Sequence, residues 1–431
     1  MIGVNIISGI FVVCIVFVIA FRALSRSGMA VTDNMVFNTL LKNTSQNQGF
    51  SITKKETAAV FAIAFLFRVL VFIISIFAIF IMLDEPFSFE KLLDIYMQWD
   101  ANNYFRIATG GYSYYVENGN FTTLAFFPLY PWLVRIFNVL FNNLTLSGLF
   151  VSALAYSGAC AYLYNLVSFD YNKQTAIRAI VFISVFPHSL FFGTMMSESV
   201  FLFTVCATLY YIRRHAWEKA GIFGALSAMS RLSGIILAIP AAIEWFEHYR
   251  IIKLMRTKSY KKVWRLFYKK GLWIFLMAAG TLTYLVCNYY TTGEWFKFLE
   301  YQKNIWNNTT VYWGECLSVI LGQIHQNKSF SLFALWIPEL IAIIFTAVVL
   351  VYGLRKTRSM YTAFLTVYLI INMSMSWPLS IGRYMSCAVT SFIILSDFAE
   401  RHRWAENLIT VVFAIAFGVF FTAYFASRQI M

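Results

Sequence analysis

The chain has 431 residues, 60% hydrophobic and 13% charged, with a mean hydropathy of +0.66 and a formal net charge of +14. Soluble domains run at roughly 45–50% apolar and about 25% charged, so one globular core cannot hide this much apolar surface and a soluble fold is excluded. Nucleic-acid binding is disfavoured, because the basic residues sit in short runs between apolar segments, as cytosolic loops beside anionic lipid do.

The first apolar run, Val4 to Phe21, has no basic flank before it and no small-residue cleavage site before Arg22 and Arg26. It reads as a retained signal-anchor helix. Residues 27–56 are rich in Asn, Thr and Ser and form a connection without regular structure. A span follows from Ala58 to Leu83, behind Lys54 and Lys55. The polar stretch 84–123 then holds Asp84, Glu85, Glu90, Asp94, Asp100 and Glu117 against only Lys91 and Arg106. Scarce Lys and Arg place this large first loop outside the cytosol.

Apolar runs recur at 124–141, 146–168, 178–192, 194–212, 220–243, 271–290, 332–353, 360–377, 384–396 and 407–426. Judged against the length needed to cross hydrocarbon, they predict an all-α integral membrane protein. The expectation is a polytopic bundle of about ten to twelve membrane segments, built as one domain over 1–431. The loop 249–270 carries Arg250, Lys253, Arg256, Lys258, Lys261, Lys262, Arg265, Lys269 and Lys270 with no acid, and is cytosolic. Arg213, Arg214, Arg355, Lys356 and Arg358 mark the same side. The run 220–243 is therefore bracketed by cytosolic signals and interrupted by Arg231. A helical hairpin that dips in, turns near Arg231 and returns satisfies both constraints. A second irregular region is expected between 169 and 197, where strict alternation fails.

The densest polar and aromatic cluster runs from Gln98 to Tyr112 (Q-W-D-A-N-N-Y-F-R-I-A-T-G-G-Y), followed by Glu117 and by Ala125 to Pro131 (A-F-F-P-L-Y-P). Asp100 is a carboxylate able to accept a proton from an attacking hydroxyl. Trp99 beside it offers an apolar face and a polar N–H. The alternative is an interfacial loop with belt aromatics and solvated acids. Arg231 (S-R-L-S-G) lies inside an apolar run, where a charge marks a function or snorkels to the headgroups. Arg383, in the turn W-P-L-S-I-G-R-Y, is either a bidentate partner for a lipid phosphate or an interfacial arginine. Glu198 pairs with one of these arginines or caps its helix. The histidines do not converge on a metal site, the six cysteines form no C-x-x-C pair, and neither a P-loop nor a G-x-G-x-x-G is present. No cofactor is called for, and a donor already attached to a lipid fits a site outside the cytosol.

Trp99 to Tyr112, followed by A-F-F-P-L-Y-P, resembles the first large loop of the PIG-V family, the GPI second mannosyltransferases and their prokaryotic relatives. Phe186 to Phe201 (F-P-H-S-L-F-F-G-T-M-M-S-E-S-V-F) is similar to the family's later proline and Ser-Glu segment. Ala228 to Gly234 (A-M-S-R-L-S-G) is similar to its Arg-Ser-x-Gly stretch, with Leu232 between the Arg and the Ser. The likeness covers about residues 95–245, and beyond that rests on hydropathy and the Arg383–Tyr384 turn. It implies a GT-C architecture, a polyprenyl- or dolichyl-phosphate sugar donor, a glycolipid or glycan acceptor and inversion at the anomeric carbon. It makes Asp100 the general base, with Trp99, Tyr112, Glu117, Arg231, Arg383 and Tyr384 about the substrates. The rival reading is a transporter or lipid flippase, which would line a path through several spans with charge. N-x-S/T sequons at Asn120, Asn307, Asn308 and Asn327 bear on location. A glycan on Asn120 would crowd the acceptor, which favours a bacterial plasma membrane over the endoplasmic reticulum.

This topology predicts that cysteines placed near Glu90 and Glu117 react with a membrane-impermeant thiol reagent added from outside, and that cysteines near Lys262 do not. Labelling of the 249–270 loop from outside would invert the arrangement.

Overall fold

The computed structural model describes residues 2–29, 52–83, 88–326, 331–428 and 430. Asp84, Glu85, Asn327 and most of the polar connection 27–56 fall outside the described residues. The protein is a bundle of helices, and among the described residues the only strand-like pairings are two isolated bridges. Five helices are long and apolar enough to cross a membrane: Ile2–Arg26, Lys54–Ala78, Leu144–Asp170, Leu332–Lys356 and Arg403–Phe425. Two bent pairs raise the number to seven if each is one span. The chain is a multi-pass membrane protein. Other expected runs form helices shorter than a span, such as Glu198–Arg213, Trp217–Ser230 and Val389–Arg401.

Burial separates outer helices from inner ones. Ile6, Ile10 and Phe17 on the first helix, and Leu408, Val412 and Ile415 on the last, are exposed, as lipid-facing residues are. The helices Leu144–Asp170, Glu198–Arg213, Ser359–Met373 and Val389–Arg401 supply the core. Small residues let helices approach: a Cβ on Gly280, in the helix Ala278–Thr292, would lie 1.8 Å from the Ala225 carbonyl oxygen of Trp217–Ser230, so only glycine fits that crossing.

Both irregular regions expected from the sequence are present. The helix Lys173–Val185 breaks at Pro187 and continues as the tight turn Pro187–Gly193, bent by 85°. Arg68, buried within the span Lys54–Leu83, donates from Nη1 to the Ser189 carbonyl at 3.0 Å and lies 3.8 Å from the Tyr156 ring centre. It satisfies backbone that the break exposes, a role the sequence reading does not assign.

The helix Trp217–Ser230 ends at Arg231, and the 3₁₀ segment Leu232–Leu237 folds back on it so tightly that a Cβ on Gly234 would meet Ser227 backbone at 2.2 Å. Ala238–Tyr249 then returns. Its end meets the beginning: Trp217 Nε1 donates to Tyr249 Oη at 3.0 Å, and the His215 and His248 rings stack at 3.5 Å. The hairpin thus has its base at 215–249 and its tip at Arg231.

From residue 88 the loop is packed rather than loose. It holds the helices Phe89–Ile95 and Ala101–Gly110 and a turn at Thr122–Ala125. Tyr96 donates to Ser75 Oγ at 3.0 Å, and Leu92, Tyr96 and Tyr104 share a core with Tyr130, Phe191 and Tyr424. The basic loop 249–270 is also mostly helical, in the short pieces Ile251–Arg256 and Tyr260–Leu266, the latter continued by a wider turn at Phe267–Gly271.

Candidate active site

The site begins at a backbone irregularity. Trp99 has φ +53, a left-handed conformation uncommon outside glycine, and it turns the chain into the helix Ala101–Gly110. Its indole wedges between Phe191 and Tyr424, with ring centres 6.2 and 5.3 Å away. Asp100 is the N-cap residue of that helix, where an aspartate ordinarily accepts from the first-turn N–H groups. Here it makes no such side-chain bond. Its Oδ2 instead accepts from Arg383 Nη1 at 2.7 Å, and the side chain is 24% exposed.

Arg383 arrives on the short helix Ile381–Ser386, entered through Ser380 at φ +69. The helix is fixed by Glu339, whose Oε2 accepts from the Gly382 N–H at 2.6 Å. A side chain at Gly382 would strike the His188 ring at 2.4 Å. Arg383 Nε donates to Glu198 Oε1 at 2.6 Å. The same carboxylate oxygen accepts from Arg231 Nη1, also at 2.6 Å. Glu198 thus pairs with both arginines rather than only capping its helix. Tyr104 of the loop helix donates to Ser197 Oγ at 2.8 Å, tying Asp100's helix to the start of Glu198's.

Asp100, Arg383, Glu198 and Arg231 form one chain of two carboxylates and two guanidiniums with no net charge. Glu198 is fully buried, Arg383 almost so, and Arg231 is 17% exposed at the hairpin tip. Burial of charge at such depth is tolerable only with this pairing. Burial by itself would loosen the hold of Arg383 on its proton, but the Glu198 and Asp100 carboxylates more than reverse that, so it stays a cation. The Tyr384 ring lies under the pair, 4.5 Å from Arg231 and 5.9 Å from Arg383.

The structure therefore gathers Trp99, Asp100, Arg231, Arg383 and Tyr384, and leaves two expected residues apart from the ion chain. Tyr112 is buried with Ile107, Leu124 and Tyr301, and its hydroxyl donates to the Phe126 carbonyl at 2.6 Å. Glu117 is exposed on a turn closed by reciprocal backbone bonds of 2.9 Å with Asn120. Tyr112 braces the F-F-P stretch, where Phe126 packs edge-on against Tyr104 and Trp306. Glu339 is absent from the sequence reading, although an acid inside the apolar run 332–353 is a legible signal.

Residues 127–284 match the family model described as dolichyl-phosphate-mannose-protein mannosyltransferase. No curated protein matches the chain. Among solved structures it is similar to ArnT from Cupriavidus metallidurans bound to undecaprenyl phosphate, at 14% identity and a TM-score of 0.52. That match covers 85% of this chain and 65% of ArnT's. An oligosaccharyltransferase from Archaeoglobus fulgidus is more distant, at 12% identity and a TM-score of 0.43, over 85% of this chain and 53% of the other. The likeness to ArnT shows a shared fold, and that fold is of GT-C type.

The ion chain makes a stability prediction. Glu198→Ala leaves Arg231 without its carboxylate and Arg383 with only Asp100, a loss of about 3–5 kcal/mol. Thermal unfolding of the purified protein in detergent should show a clear drop, whereas Glu117→Ala should leave the transition in place. Equal transitions for Glu198→Ala and the parent would mean that the pairing contributes nothing.

Proposed function

We propose that the chain is a glycosyltransferase, and specifically a mannosyltransferase, that moves a sugar from a polyprenyl-phosphate donor to a lipid or glycan acceptor outside the cytosol. The observation that carries the reading is Asp100: a carboxylate released from helix capping, oriented through one oxygen by Arg383, and partly open to solvent. Among the described residues its other oxygen takes no protein hydrogen bond, which leaves it for an acceptor hydroxyl. The match over 127–284, the ArnT-like fold and the PIG-V-like motifs around Trp99 support the same class.

In this reading Asp100 takes the proton of the acceptor hydroxyl as its oxygen bonds the anomeric carbon. The bond from that carbon to the donor phosphate oxygen breaks on the opposite face, so the configuration inverts. The phosphate leaves with its electron pair and a negative charge. Arg231 is the cation placed to receive it, because it is partly open and spends one nitrogen on Glu198. Arg383 has Nε and Nη1 committed to Glu198 and Asp100, so it positions the base rather than the phosphate. Trp99 offers an apolar face to the sugar ring. Asn120 sits on the same loop as Asp100, and on the sequence argument that a glycan on this loop would crowd the acceptor the host membrane is taken as a bacterial plasma membrane.

With polyprenyl-phosphate-mannose as donor, Asp100→Asn should lower transfer by roughly 10²–10⁴-fold, the usual worth of general-base catalysis. Asp94→Asn removes the same charge from the same loop and should be almost silent. Full transfer by Asp100→Asn, with protein in the membrane at normal level, would remove the catalytic assignment. Arg231→Ala should lose more activity than Arg231→Lys, which keeps a charge for the phosphate. Near-parental activity in both would return Arg231 to a purely structural role.

A further inference from the structure

At the opposite end of Glu198's helix stands a second, independent cluster of ions. Arg213 closes the helix Glu198–Arg213 and bonds Asp170 at 2.8 Å and Glu244 at 3.3 Å. That helix of 16 residues separates the two clusters by roughly 22–24 Å. Beyond Glu244 opens a cleft of about 590 Å³, enclosed by the ends of Ile2–Arg26 and Ala238–Tyr249 and by the basic helix Ile251–Arg256. Its charged walls are Arg26, Arg250, Lys253 and Arg358 against Glu244 and Glu247.

The acids are already engaged. Glu244 meets Arg213 and His215, the latter at 3.1 Å, and Glu247 meets Arg26 at 3.7 Å. Arg358 lies 3.3 Å from Asp170. Among the described residues neither Arg250 nor Lys253 has a carboxylate within ion-pair distance. Counting Asp170 and Arg213 with the walls, five cations face three carboxylates, an excess of two positive charges. The cationic wall is also held in place. The Lys253 N–H donates to the Ser27 carbonyl at 3.0 Å, Arg256 donates to the Gly28 carbonyl at 3.2 Å, and Arg250 sits at φ +48 between two helices.

We propose that this cleft binds a phosphate-bearing anion, with the headgroup of an anionic membrane lipid as the favoured source and a soluble phosphate as the other. Arg and Lys donors converge on phosphate oxygens with charge-assisted bonds, and basic pockets between membrane helices on the cytosolic side take such headgroups. The surroundings favour lipid. The cleft lies at the foot of a helix whose Phe17 and Leu24 are exposed. Beside it Tyr260, Trp264 and Tyr268 are exposed among Lys261, Lys262, Lys269 and Lys270, the composition of a segment lying in the headgroup layer. The site lies far from Asp100 and does not depend on the transferase reading.

The full chain in phosphatidylcholine nanodiscs, titrated with phosphatidylglycerol and followed by native mass spectrometry, tests this. Arg250→Gln with Lys253→Gln should weaken retention of phosphatidylglycerol by about tenfold or more, at about 1 kcal/mol for each charge. Lys54→Gln with Lys55→Gln removes the same charge at the exposed start of another helix, outside the cleft, and should leave retention unchanged. Competition by inorganic phosphate at millimolar concentration, lost in the first pair of substitutions, would assign the cleft to a soluble phosphate instead. Equal weakening by both pairs, or by neither, overturns the proposal, since attraction would then be diffuse or absent. If the first pair does not fold, Lys253→Gln alone carries the comparison, with about a threefold or larger effect.

Discussion

Four charges that cannot be left alone organise the site. In a low-dielectric interior each guanidinium or carboxylate of the chain Asp100–Arg383–Glu198–Arg231 would be costly without its neighbour. Pairing them fixes four segments at once: the loop helix, the start of Glu198–Arg213, the hairpin tip and the short helix that carries Arg383. Glu198 is the hinge of the arrangement, because one of its oxygens serves both arginines. Its position below the surface lets the outer carboxylate be held through Arg383 while staying open to solvent. The scaffold and the proposed chemistry thus use the same bonds.

The second constraint is the backbone. A helix that stops inside a membrane exposes carbonyl and amide groups that lipid cannot satisfy. The protein stops helices at Arg231 and Pro187, and in both places folds the freed backbone into protein. Arg68 reaches the Ser189 carbonyl, and the segment after Arg231 lies against its own helix. At the other end of the bundle Arg22, buried, donates to the carbonyls of Leu354 and Thr357 where the helix Ile337–Lys356 finishes. These arginines act chiefly on backbone, whereas Arg231 and Arg383 act on carboxylates.

Much of this is legible in the sequence. Apolar runs and basic loops give the helical membrane fold and the hairpin, since a run flanked by two cytosolic signals cannot simply cross. Arg231 is legible because charge inside apolar sequence is expensive, and Asp100 because it follows Trp99 in the densest polar and aromatic cluster of the first loop. The same cost argument applies to Arg68 and Glu339, whose partners are backbone groups that only the folded chain reveals. Hydropathy does not show where a run divides into short helices, so several segments that look like spans are buried pieces. Tyr112 and Glu117 share the loop with Asp100, but sequence proximity does not say which way a side chain turns. Tyr112 faces inward to the Phe126 carbonyl and Glu117 faces water.

The spacing of the ion chain along the polypeptide has a consequence for biogenesis. Glu198 and Arg231 are 33 residues apart and leave the ribosome almost together, so the hairpin tip can be sealed early. Asp100 and Arg383 are 283 residues apart. At synthesis rates of about 5–20 residues per second, roughly 15–60 s separate their emergence. Throughout that interval the Asp100 carboxylate lacks its final guanidinium. The late segments are therefore the ones that complete the ion chain, and a nascent chain truncated before Arg383 lacks both that guanidinium and the core helix Val389–Arg401.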